Sequence, residues 1–202
     1  MIRSLIFDFG KVLVDYDFYR FIESFIPDLE KKDRFISCIL TDSWFKTLDK
    51  EDRPFEETIK EMQELYPEFT KEIQIFADEF PSIVDREVPG MRELLTKLKA
   101  EGYKVYGLTN WCDRVHVTMA QYGIFKLLDG QVISSEVHEI KPFPQIYRIL
   151  FEKFGLKPEE CVFTDDKQEN IDGSIAVGMP AILFRNAEQY EIELRKIIEK
   201  SI

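Results

Sequence analysis

The feature that most constrains this chain is an alternation running through its C-terminal part. After Val88, short apolar runs suited to buried strands take turns with longer segments whose apolar residues recur at helical spacing. Pro89-Gly90 opens the first of these helices, whose stripe of Met91, Leu94, Leu95 and Leu98 follows i, i+3, i+4, i+7, and Gly102 stops it. A strand over 104–108 ends in Thr109-Asn110, a helix covers about 112–122, and a strand follows at 131–134. Lys141-Pro142 precedes a helix striped by Ile146, Ile149, Leu150 and Phe154 and stopped at Gly155. The strand 161–164 runs straight into Asp165-Asp166; a helix over about 170–177, a strand over 181–184 and a closing amphipathic helix over about 187–198 complete the series. One more strand stands near the start, where Leu5-Ile6-Phe7 delivers Asp8 to its C-terminal end and the chain breaks at Gly10. This alternation predicts an α/β fold built on a doubly wound parallel sheet. Such sheets bind ligands outside the carboxyl ends of their strands.

Between Phe18 and Phe80 the character differs. Phe, Glu, Lys and Ile recur at helical spacing, as in Phe18, Phe21, Ile22 and Phe25, or Phe35, Ile36, Ile39 and Leu40, with no convincing strand. Pro27, Asp42-Ser43, Asp52-Arg53-Pro54 and Pro67 punctuate it into four or five helices. The division expected is an α/β core at 1–16 and 84–202, with a helical domain inserted at 17–83.

Composition enters mainly by exclusion. With 45% hydrophobic and 32% charged residues, the chain is ordinary for a globular protein, which argues against disorder. A net charge of −11 disfavours nucleic acid and anionic membrane surfaces as partners, while leaving room for a small anion held by local cations. Cys38, Cys112 and Cys161 are odd in number and widely spaced, and there are only two histidines, so neither a disulfide framework nor a structural zinc site is expected. No signal-peptide pattern and no membrane-length apolar run is seen, and a cytoplasmic location is expected.

Four polar features converge on one edge of the expected sheet: Asp8, Thr109-Asn110, Lys141 and Asp165-Asp166. Taken singly, each has a bland reading: Thr109-Asn110 as a helix cap, Lys141 as a solvated loop residue, Asp165-Asp166 as a turn. Together they place three carboxylates at one edge, which repel unless a hard cation such as Mg²⁺ joins them. Lys141 is placed to hold both a nucleophilic carboxylate and a phosphate oxygen, with the Thr109 hydroxyl accepting the rest of the anion. The chemistry implied is phosphoryl transfer through an aspartyl phosphate.

In the order FDFGKVL, LTN, KP and FTDD, these motifs resemble the haloacid dehalogenase superfamily, and they span its core region, 1–14 and 88–185. The resemblance implies Asp8 as nucleophile, Gly10 as a backbone-carbonyl ligand of Mg²⁺, Thr109 and Asn110 as phosphate binders, Lys141 as the charge-neutralising group, and Asp165 with Asp166 as metal ligands. Asn170 would orient the loop. The insertion would be a small C1-type helical cap that admits small substrates. One departure stands out: the second Asp of the first motif, which serves as acid and base, is here Gly10. This D-x-G form looks like a subgroup of bacterial sugar phosphatases resembling glucose-1-phosphatase, and water, Lys11, Asp15 and Asp17 are the stand-ins within reach by sequence. The resemblance thus implies a phosphatase acting on a small phosphorylated metabolite such as a hexose 1-phosphate. A metal-independent dehalogenase using Asp8 and a catalytically weak phosphate-binding or regulatory module are the alternatives.

For substrate contacts, the segment LDKEDRPF is expected to face the nucleophile, with Lys50 and Arg53 as polar contacts and Trp44 and Tyr19 as stacking faces, against the plain reading of Trp44 and Tyr19 as cap core and Arg53 as solvated. His116 and His138 are read as surface and loop. The oligomeric state is open between monomer and homodimer.

Overall fold

The computed structural model describes residues 1–200; Ser201 and Ile202, the end of the expected core segment, lie outside the described residues. In chain order the elements are β1 (Ser4–Phe7), β2 (Val14–Tyr16), α1 (Phe18–Glu23), α2 (Leu29–Ile39), α3 (Asp42–Lys50), α4 (Phe55–Leu65), α5 (Thr70–Glu79), β3 (Val84–Glu87), α6 (Met91–Ala100), β4 (Lys104–Thr109), α7 (Val115–Gln121), β5 (Gly130–Ile133), α8 (Ser134–Val137), α9 (Pro144–Phe154), β6 (Cys161–Asp165), α10 (Gln168–Ala176), β7 (Ala181–Leu183) and α11 (Ala187–Lys200). Among the described residues, no helix is long and apolar enough to cross a membrane.

Five strands form one parallel sheet in the order β5-β4-β1-β6-β7. The strand that comes first in sequence is central, buried along its whole length, and paired on both sides, Phe7 standing beside Gly107 of β4 and Thr164 of β6. Continuous apolar runs such as Leu5-Ile6-Phe7 are what a strand covered on both faces needs. Gly107 is bare for a reason. Phe9, packed edge-on to Phe125 with ring centroids 4.8 Å apart, fills the space a Cβ would take there.

The five helices α1 to α5 follow one another between β2 and β3. The first three start at side-chain caps: Asp17 accepts from Arg20 N, Asp28 from Lys31 N, and Thr41 from Trp44 N. The phenylalanines meet in one aromatic cluster around Phe76, whose ring centroid lies 5.3 Å from that of Trp44, 5.2 Å from Phe80 and 5.9 Å from Phe21. Burying aromatic rings of this size dominates the energetics of a small helical layer, each contact adding about 0.5–1.5 kcal/mol beyond area burial.

Two strands escape the sequence reading. β2 and β3 form an antiparallel ribbon at the two ends of the helical segment. They are only three and four residues long and carry charges, as in Val-Asp-Tyr and Val-Asp-Arg-Glu, so periodicity has too little to act on. Arg86 of β3 clamps Asp15 of β2, with an Nη2 to Oδ2 distance of 2.6 Å.

Candidate active site

Asp8 follows directly on β1, and its Oδ1 accepts from the Phe9 backbone N–H at 2.7 Å. Lys141 reaches in from the loop after α8 and lies 2.9 Å from Asp8 Oδ1 and 2.6 Å from Asp165 Oδ2. The Asp165 carboxylate, at the end of β6, also accepts from the Lys167 N–H at 2.9 Å and from Asn170 Nδ2 at 3.0 Å. Carboxylate oxygens of Asp8, Asp165 and Asp166 all lie within 4.8 Å of one another. The parallel sheet accounts for this gathering: three neighbouring strands, β4, β1 and β6, end at one edge, and each hands over a polar residue where its apolar run stops.

The cluster is electrostatically unbalanced. Burial raises the Asp8 carboxyl to about 7, although the Lys141 ammonium opposes that shift. Burial, then the neighbouring Asp165, also push Asp166 up. Burial disfavours the charge on Lys141, but Asp165 and Asp8 outweigh it and hold the ammonium above its ordinary value. Of the three carboxylates, those of Asp8 and Asp165 share the Lys141 ammonium while Asp166 has no such contact, and all the ligand atoms offered are hard oxygens. That donor set fits Mg²⁺, with Asp8, Asp165 and Asp166 as the residues able to hold it. Gly10 lines the same cavity.

Thr109, at the end of β4, is buried and its hydroxyl has no hydrogen-bond partner among the described residues. A buried hydroxyl left without a partner costs about 1–3 kcal/mol, so this one awaits an acceptor from a ligand. Asn110 also ties two loops together. Its Oδ1 accepts from the Lys141 N–H at 2.8 Å and its Nδ2 donates to the Lys141 carbonyl at 3.0 Å. The side chain thus pins the lysine loop to the end of β4 and keeps one N–H for a ligand.

These groups line a cavity of about 140 Å³ whose opposite wall is the helical segment. The residues of the helical segment on that wall differ from the expected set. Trp44 is buried in the aromatic cluster, Lys50 pairs with Asp52 at 3.0 Å, and Arg53 pairs with Glu61. None of the three lines the cavity, and neither does Tyr19. Phe45, Lys46 and Asp49 of α3 do, together with Tyr16, Phe18 and Trp111. The signal was present in the sequence: with Trp44 and Leu48 fixing the buried stripe of α3, positions 42, 45, 46 and 49 fall on another face. Of the residues considered in place of a second first-motif Asp, Lys11 is held by Asp15 and the Tyr16 carbonyl, Asp15 by Arg86, and Asp17 caps α1. His138 is tied by Nδ1 to the Lys50 carbonyl at 3.2 Å, a bond in which the imidazole must donate.

A family model for haloacid dehalogenase-like hydrolases matches residues 2–178. Flavin mononucleotide hydrolase 1 of Arabidopsis thaliana is 28% identical over 105 residues, which cover 52% of this chain and 43% of the relative. A phosphoglycolate phosphatase of Haemophilus influenzae is 30% identical over 114 residues, covering 56% and 51%. The chain thus spans about half the length of these curated relatives. A HAD family enzyme of Bacteroides thetaiotaomicron, solved as the wild-type protein in complex with magnesium and inorganic phosphate, shares the fold with a TM-score of 0.73 at 24% identity, covering 92% of this chain and 96% of that one. With the family model spanning most of the sheet and all four polar features of its edge, this chain belongs to the haloacid dehalogenase-like hydrolase family.

Proposed function

We propose that this chain is a Mg²⁺-dependent phosphatase that hydrolyses a small phosphomonoester through an aspartyl phosphate on Asp8. The observation that carries the reading is the Lys141 ammonium bridging Asp8 and Asp165 beside the unpartnered Thr109 hydroxyl. That arrangement offers a carboxylate nucleophile, a fixed cation and a spare donor around a space for a tetrahedral anion.

In the proposed sequence, an Asp8 carboxylate oxygen attacks phosphorus and the bond from phosphorus to the ester oxygen breaks, leaving an acyl phosphate and an alcohol. Lys141 holds the attacking carboxylate in place and offsets charge on the phosphoryl oxygens. The Thr109 hydroxyl and the free Asn110 N–H donate to the same oxygens. Water then attacks phosphorus, the bond to Asp8 breaks, and orthophosphate leaves with the carboxylate restored. Bound Mg²⁺ supplies charge neutralisation that lets the Asp8 carboxylate and a phosphate dianion approach each other.

For the substrate, a sugar phosphate such as a hexose 1-phosphate is proposed. The cavity falls below the roughly 300–1,000 Å³ of sites for drug-sized ligands, and its helical wall mixes rings with polar groups suited to a hydroxylated substrate, Phe18 and Phe45 beside Lys46 and Asp49. A cytoplasmic enzyme acting on such a metabolite, as monomer or homodimer, is the matching setting. Phosphate release from a panel of sugar phosphates, with and without Mg²⁺, tests the reading. Release should need the metal and vanish in Asp8→Asn; metal-independent halide release from a 2-haloacid would replace it with the dehalogenase reading.

A further inference from the structure

An alkoxide is a poor leaving group, and splitting an alkyl phosphate at neutral pH calls for a proton donor beside the ester oxygen. The loop after β1 supplies none. Gly10 has no side chain, and a Cβ built there would lie 2.8 Å from Tyr16 Cε1 and 3.2 Å from the Tyr16 hydroxyl, so the tyrosine ring occupies the space a longer residue would need. The Tyr16 phenol is itself pushed far above its ordinary value by burial and then by Asp8, which makes it a hydrogen-bond donor and a poor acid.

The opposite wall does offer a carboxyl group. In-line displacement puts the leaving oxygen on the side of phosphorus away from Asp8, and the cavity wall facing the sheet edge is built from α3. Asp49, in its last turn, lines that wall and makes no side-chain hydrogen bond or ion pair among the described residues. Asp42 and Glu169 also line the cavity but are exposed, and Asp166 belongs to the metal-binding trio.

The helix end that carries Asp49 is fixed to the core. The last carbonyls of a helix lack partners within it, and here the Asp49 carbonyl accepts from Ser134 Oγ at 2.5 Å while the next one, Lys50, accepts from His138. Glu51 then takes the Asp113 N–H at 2.9 Å. Three bonds in succession, to the first residue of α8, the residue just after α8 and the loop after β4, hold this helix end at the carboxyl edge of the sheet.

We propose that Asp49 is the acid–base residue of this chain, giving its proton to the leaving ester oxygen and later taking one from the water that attacks the aspartyl phosphate. This rests on the phosphatase reading above. In the first half-reaction the Asp49 carboxylic acid becomes a carboxylate as the alcohol departs neutral. In the second, the attacking water loses a proton to that carboxylate, the bond from phosphorus to Asp8 breaks, and Asp49 ends protonated again. Burial lifts its carboxyl to about 7, with Lys167, Asp8 and Lys141 facing it along with the Tyr16 phenol and the Cys112 thiol. A value near the working pH suits a group that must act in both directions.

The test compares an alkyl phosphate with p-nitrophenyl phosphate, whose leaving group needs no proton, using the full chain with Mg²⁺ and the variants Asp49→Asn, Asp49→Glu and Asp8→Asn. Asp49→Asn should lose about 10²-fold or more in kcat/KM on the alkyl ester and less than about tenfold on the aryl ester, the range expected for one acid–base group. It should also release one nitrophenolate per enzyme in a burst, because the phosphoenzyme then waits for an unassisted water. Asp49→Glu should recover part of the alkyl rate. Equal losses on both esters with a melting temperature no lower than native, or no loss on either while Asp8→Asn is inactive, would overturn the role of Asp49 and leave the phosphatase reading standing. A native protein inactive on both esters, with Mg²⁺ and phosphate still bound, would instead remove that reading and the proposal with it.

Discussion

Lys141 places its ammonium 2.9 Å from the Asp8 carboxylate, and both groups are buried. The same nitrogen lies 2.6 Å from Asp165, which is fully buried as well. Removing one partner of such an arrangement strands the other charges in a poor solvent, at a cost of about 3–5 kcal/mol. Lys141→Met should therefore lower stability by about that amount in urea titrations at pH 7.5 in EDTA, and should reduce phosphate release to background when Mg²⁺ is restored. Stability within about 1 kcal/mol of native would show that the bridge contributes little.

The spare hydroxyl of Thr109 gives the opposite pattern. It has no partner to lose in the folded chain and its burial carries a cost, so Thr109→Val should hold or raise the melting temperature. A donor to a charged phosphate oxygen is worth about 1.5–3 kcal/mol, so the affinity for inorganic phosphate, read by calorimetry with Mg²⁺ present, should fall roughly tenfold or more. Unchanged affinity would mean that the hydroxyl points to no ligand.

Gly10 and Tyr16 are sterically coupled, and this limits what restoring a carboxylate could achieve. Gly10→Asp must push the Tyr16 ring aside, an overpacking that costs about 1–3 kcal/mol and, at this chain length, roughly 2–12 °C in melting temperature. No gain in rate on alkyl phosphates should accompany it. A faster and equally stable Gly10→Asp would show that the tyrosine yields freely.

Asp49 makes a prediction about pH that is independent of turnover. Its folded value, about 7, lies above the ordinary carboxyl value of 3.8. The folded chain then binds more protons than the unfolded chain between the two, so stability falls as pH rises from about 4 to about 7. Asp49→Asn removes that cost. In EDTA its melting temperature should exceed the native value most at pH 8 and by less at pH 5. An equal difference at both would mean that the carboxyl is not raised by burial.

How much of this was legible depends on where the information resides. Asp8, Thr109 and the Asp165-Asp166 pair are legible because each ends or follows an apolar strand, and a parallel sheet gathers such ends whatever the details of packing, whereas Lys141 sits in the loop after α8 and is marked only by the Lys-Pro step before a helix. The attachment of Asn110 to the Lys141 backbone was not readable, since it links loops 31 residues apart through a side-chain amide that suits a ligand equally well. The residues on the helical wall differ from the expected ones for another reason. Lys50 and Arg53 stand near the expected elbow, but α3 continues through Lys50, so helical phase decides which side chains face the cavity. Trp44 lies on the buried stripe and Asp49 five residues later faces the site. The ribbon of β2 and β3 was too short to carry a period, yet it is what sets Tyr16 against Gly10.

The central claim is a covalent phosphoenzyme on Asp8, and the most direct measurement is to quench the full chain in acid during turnover of a phosphomonoester with Mg²⁺ and map the label by mass spectrometry. Phosphate on the peptide carrying Asp8, absent without metal and absent in Asp8→Asn, is the result predicted. Steady phosphate release with no label on Asp8, or with label surviving in Asp8→Asn, would contradict the account.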